Sequence, residues 1–161
     1  PGVARSGAGY LRRKGLRAYD SRGRDVTAQV SAGNVRKYFV SQPPGARNAL
    51  GEIKFNLPNK EAIYIHDTPN RSLFGNSNRF LSHGCVRTEN PKLLAETILG
   101  SSQYPISKID SIINTRQTKS QDLNRKIPVF ITYLTICSNK DSKRLRYLQD
   151  VYKRDEKMSG S

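Results

Sequence analysis

Proline and glycine cut this chain into short pieces, and that limits what it can build. Asp20-Ser21-Arg22-Gly23, Gln42-Pro43-Pro44-Gly45 and Leu57-Pro58-Asn59-Lys60 are turn sequences, and Gly15 stops whatever precedes it. Between them stand brief apolar runs: Leu16 to Tyr19, Tyr38-Phe39-Val40, Ile53-Lys54-Phe55 and Ala62 to His66. Runs of this length bounded by turn residues read as short strands. In the last of them Ile63 and Ile65 alternate with Tyr64 and His66, so His66 should leave a strand end on the face opposite the isoleucines. That is a suitable place to enter a cleft.

The remaining segments are read in the same way. Residues 1–9 read as a flexible lead and Tyr10 to Lys14 as one or two helical turns. Val26 to Lys37 has no strong period. Thr68 to Phe80 reads as a loop that could wall a site. Asn90 can cap a helix with Pro91 at its first position; Leu94 and Ile98 share one face and Gly100 ends it. Pro105 starts a second helix with an apolar stripe of Ile109, Ile112 and Ile113. Thr115 to Lys126 is polar and expected to be exposed. Pro128 to Ile136, rich in β-branched and aromatic residues, predicts a buried strand, with Cys137 packing at its end. The fold class expected is mainly β with peripheral helices.

At 161 residues the chain fits one domain. Its 28 Lys+Arg against 13 Asp+Glu give a net charge of +15, which favours anionic partners such as nucleic acid, membrane headgroups or acidic cell-wall polymers. The charge is dispersed, which argues against a specific nucleic-acid groove, and no nucleic-acid partner is expected. No apolar run approaches the roughly 20 residues of a spanning helix. Two cysteines are too few for a disulfide framework, and neither sits in a zinc-ligand spacing, so no metal site is expected.

The two histidines, His66 and His83, both precede Cys85, the second within Ser82-His83-Gly84-Cys85-Val86-Arg87. A thiol becomes a strong nucleophile as thiolate, and a nearby imidazole is the usual group that takes its proton. Gly84 removes a side chain where a substrate carbonyl would approach backbone N–H groups. A lone cysteine is also commonly a small buried hydrophobe, and a strand histidine a structural residue. Spacing alone leaves both readings open.

The whole motif resembles the active-site signature of the L,D-transpeptidases, the YkuD-type catalytic domain. The similarity extends, toward that family's YcbB-like branch, through Gln42 to Gly45, Arg47 to Gly51, Lys54-Phe55, Pro58-Asn59, Ile63 to Pro69 and Leu73-Phe74. Ile127 to Val129 and Tyr133 to Thr135 resemble the family's closing strand, and Tyr10-Leu11 with Gly15-Leu16 its capping segment. The resemblance implies a β-sandwich or barrel-like catalytic domain across residues 1–161. Residues 1–37 would be the capping segment, 38–137 the catalytic core and 138–161 a basic tail. Further family strands would normally precede the first residue, so the chain is expected to be the C-terminal portion of a longer protein.

The resemblance also implies a chemistry. Cys85 would attack a peptidoglycan tetrapeptide stem and expel D-alanine, and the thioester would pass to a side-chain amine of a second stem, giving a 3→3 cross-link. His66 would be general base, with its ring oriented by the Asp67 backbone carbonyl, and His83 would line the site. Gly84 and Cys85 N–H groups would form the oxyanion hole; Ser82 belongs to the signature, Arg87 could pair with a stem carboxylate, and Tyr64 could line the pocket. No cofactor is required. The expected setting is the periplasm or cell envelope, with carbapenem sensitivity and any membrane attachment outside these residues. Two alternatives remain at this point: a cysteine hydrolase passing the acyl group to water, and a silent basic cell-wall-binding fragment.

Overall fold

The computed structural model describes residues 2–138 and 144–159. The chain forms two compact units, Pro1–Asn124 and Arg125–Ser161.

The first unit opens with helix α1 (Gly2–Arg13), interrupted at Gly7, where the backbone turns to φ 47°. From Gly2 onward the expected flexible lead is thus helical. Its anchor is Leu11, which is wholly buried with Ala18, Val26 and Val30, flanked by Tyr10, Leu16, Val35 and Tyr38. Ala18 lies on strand β1 (Arg17–Tyr19), which pairs antiparallel with β2 (Phe39–Ser41). The stretch between them, irregular in sequence, folds into two 3-10 turns at Thr27–Gln29 and Val35–Lys37. Thr27 makes this possible without an orphaned donor: its hydroxyl accepts the Ala18 N–H at 2.9 Å and donates to Asp25 at 2.6 Å.

The next sheet carries the site. Strands β3 (Lys54–Asn56), β4 (Tyr64–His66) and β5 (Val86–Arg87) pair in that order, β3 antiparallel to β4 and β4 parallel to β5. The parallel register sets Ile65 beside Val86 and His66 beside Arg87. Between β4 and β5 the expected loop contains one 3-10 turn, Arg71–Gly75.

Two helices follow. α2 (Pro91–Leu99) begins on Pro91 and ends at Gly100 with φ 89°, as expected, although the Asn90 side chain makes no capping bond. α3 (Ile106–Asn114) buries Ile109. Here α2 supplies the cap, for the Glu96 carboxylate accepts the Ile106 N–H at 2.9 Å. Lys92 of α2 bridges Asp110 of α3 at 2.7 Å and Glu52 at 3.3 Å. Those contacts raise the Lys92 pKa, the Asp110 hydrogen bond first among them.

The second unit corrects the strongest strand expectation. Residues 127–135 form no strand, and Phe130 is 84% and Ile131 69% exposed. Only β6 (Ile136–Ser138) pairs, antiparallel with β7 (Leu145–Tyr147). High β propensity is realised only where a neighbouring strand supplies hydrogen bonds and a packing face, and among the described residues that pairing begins at the Thr135 carbonyl, which accepts the Leu148 N–H at 2.7 Å. Cys137 is half-buried within β6. Tyr133 donates to Asp150 at 2.6 Å, and Asp150 accepts the Asp155 N–H at 2.7 Å in the first turn of helix α4 (Arg154–Ser159).

The strands are few and short, and with about 28% of residues helical against 14% in strands the mainly-β expectation is not clearly met. The turn residues that delimit each apolar run also cap its length at three residues or so. None of the described helices is long and apolar enough to cross a membrane.

Candidate active site

One cleft of about 340 Å³ is lined by His66, Ser82, His83, Gly84, Cys85 and Arg87. Glu61, Ala62, Ile63 and Leu81 complete its wall. Its volume falls at the small end of ligand-binding sites. Parallel pairing of β4 with β5 explains the convergence: it brings the end of one strand alongside the start of the next, although a long excursion separates them in sequence.

His66 is buried, 5% exposed, and its Nδ1 lies 2.5 Å from the Asp67 backbone oxygen. A carbonyl can only accept, so Nδ1 carries a proton, and in the neutral ring Nε2 keeps the lone pair. The imidazole is therefore set to take a proton at Nε2.

Asp67 is itself held from several sides. Its N–H donates to the Ile53 carbonyl at 2.8 Å, and its carboxylate accepts the Glu52 N–H at 2.8 Å. Arg71 pairs with the same carboxylate at 2.6 Å and donates to the Glu89 carbonyl at 2.5 Å. That guanidinium ties the segment after β4 to the segment after β5. The carboxylate is 3% exposed, so burial without these partners would be costly. Gly51 makes room for it: with φ 64°, any Cβ there would stand 2.3 Å from the Asp67 carboxylate.

The Ser82 to Arg87 segment is shaped by its own side chains. Ser82 donates to the Cys85 carbonyl at 2.7 Å, and Arg87 donates to the Leu81 carbonyl at 3.3 Å. Gly84 takes φ 146°, and a Cβ there would press on the Ile63 side chain at 3.3 Å. The Gly84 N–H reaches Ser82 Oγ at only 3.4 Å, a long and weak bond. Cys85 is half-buried, and its thiol faces the Ala62 carbonyl at 3.9 Å.

Six of the eight expected residues thus share the cleft wall. Asp67 stands behind His66, reaching the site through its carbonyl. Tyr64 lies off the cleft, its ring under the Lys54 ammonium at 4.3 Å. Among the described residues no cluster of His, Cys, Asp and Glu could hold a metal ion.

Four contributors were not foreseen. Gly51 and Arg71 act through Asp67, and nothing local in sequence announces a contact across fifteen residues such as Glu52 to Asp67. Glu61 and Ala62 stand on the turn before β4. The one signal they gave was Asn59, a turn former in position to clamp that turn.

Comparison with known proteins completes the description. A family model described as the YkuD L,D-transpeptidase catalytic domain matches residues 4–130. A curated Haemophilus influenzae protein named "Putative L,D-transpeptidase" is 36% identical over 129 residues, which is 80% of this chain and 26% of that protein. The chain therefore spans about a quarter of that relative's length.

Proposed function

The chain belongs to the L,D-transpeptidase catalytic-domain family, and from that premise we propose that it is a cysteine acyl transferase acting on peptidoglycan stems. In this reading residues 1–37 cap the site, 38–137 carry it within a β-rich catalytic domain, and 138–161 form a basic tail. The protein works at the cell envelope, on the periplasmic face where its substrate lies.

Nε2 of His66 accepts the Cys85 thiol proton, and the thiolate attacks the carbonyl of the third residue of a tetrapeptide stem. Backbone N–H groups at Gly84 and Cys85 meet the developing oxyanion. Removing one such donor typically lowers the rate about 10²–10³-fold. The His66 imidazolium returns the proton to the leaving D-alanine amine. A side-chain amine of a second stem then attacks the thioester, the C–S bond breaks, and a 3→3 cross-link forms. Arg87 offers a cation for a stem carboxylate, and His83 lines the entrance.

The observation that carries this reading is the convergence of His66 and Cys85 on one cleft, with the imidazole proton committed to Nδ1. The test is intact-protein mass spectrometry with a carbapenem, whose strained ring acylates such a thiolate. An adduct is expected on Cys85 and absent from Cys85→Ala. An adduct of equal yield on Cys85→Ala overturns the assignment of the nucleophile.

A further inference from the structure

A transferase must choose an amine over water, and the turn before β4 contains a group suited to that choice. Asn59 clamps the turn with three hydrogen bonds: its side-chain amide donates to the Leu57 carbonyl at 3.0 Å and the Ile63 carbonyl at 2.8 Å, and its oxygen accepts the Ile63 N–H at 2.9 Å. Ala62 is forced into the left-handed region, φ 55°, a conformation that costs a non-glycine residue energy. The result is a fixed edge to the cleft. The Ala62 carbonyl faces the nucleophilic sulfur, and Glu61, its immediate neighbour, stands on the same wall.

Glu61 differs from everything else on that wall. It is the one acidic side chain there, beside Arg87, His66 and His83. It is exposed, and among the described residues no cation pairs with it. In a chain of net charge +15, an unneutralised carboxylate on the wall that Cys85 shares opposes the surrounding field. Fold stability gives no account of it, since the clamp on the turn comes from Asn59.

We propose that Glu61 is a specificity residue that recruits the attacking group as a primary ammonium, so that the acyl-enzyme is directed to an amine acceptor. The inference rests on the transferase reading and names the ligand class of its second step. The incoming R–NH₃⁺ pairs with the Glu61 carboxylate, then gives one proton to solvent. The neutral nitrogen attacks the thioester carbonyl, forming C–N as C–S breaks. The nitrogen's remaining surplus proton passes through His66 to the departing sulfur, which restores the thiol. The balance is one amide and one thiol formed from one thioester and one ammonium, with one proton released.

The test uses the full-length protein, a tetrapeptide donor and two nucleophiles. One is Nα-acetyl-lysine amide, cationic at neutral pH; the other is hydroxylamine, which is neutral there and cleaves thioesters. Glu61→Gln is expected to raise KM for the lysine amide about fivefold, the size of one partly exposed ion pair, and to leave KM for hydroxylamine unchanged. Glu61→Lys should raise the first further, and Glu61→Asp should recover part of the loss. Equal weakening with both nucleophiles overturns the proposal, because it marks a disturbed turn. No change with either also overturns it. A wild-type protein that forms no thioester at Cys85 overturns the transferase reading first, and this inference with it.

Discussion

At the scale of single residues, the site depends on how protons and charges are pinned. With Nδ1 bonded to Asp67, His66 has one nitrogen left for chemistry. Glutamine keeps much of the shape and loses the nitrogen that the proposed mechanism uses as its base. His66→Gln is therefore expected to slow acylation of Cys85 by about 10²–10⁴-fold with the fold retained, read by single-turnover mass spectrometry beside circular dichroism. Arg71 acts one step back. Arg71→Ala leaves the buried Asp67 carboxylate with the Glu52 N–H alone, and is expected to cost about 2 kcal/mol in urea unfolding, with Arg71→Lys recovering part. That His66 and Cys85 line one cleft was legible in the sequence, because the two sit close together in one motif. Arg71 was not, because its partners are a carbonyl and a carboxylate brought near only by folding.

At the scale of elements, legibility followed length and local signals. α2 was bounded by Pro91 and Gly100, residues whose backbone limits act without help from elsewhere. Residues 127–134 had the composition of a buried strand and, among the described residues, no strand partner, and pairing is non-local. The α2–α3 pair shows how tertiary contacts tune a local group. Lys92 has its pKa raised by Asp110 and Glu52, so its contribution is fully present below the unfolded-state value of about 10.4 and is lost as pH rises through the higher folded value. The measurement is urea midpoint against pH for wild type and Lys92→Met. The wild-type advantage should persist at roughly pH 9 and vanish above the folded-state value. Being partly exposed, the pair should contribute no more than about 1 kcal/mol.

At the scale of the whole molecule, the division at Asn124 and Arg125 coincides with a polar, exposed stretch from Thr115 to Lys126. That stretch was legible as surface from its composition. The partition of the chain around it was not, because it depends on which segments find partners. A protease needs an extended, accessible backbone, and this one offers Lys119, Arg125 and Lys126 in such a segment. Brief trypsin digestion should therefore cut there earlier than at Arg17, Lys54 or Lys92, which sit in or beside paired strands and helices. Mass analysis of the first fragments checks the order.

The empty place at residue 51 carries a lesson for reading genomes. A single methyl group added there would shove the acid whose main-chain oxygen holds the His66 ring, while His66, Ser82 and Cys85 all stayed spelled as before. Such a descendant would keep the signature by which its relatives are counted and lose the geometry beneath it.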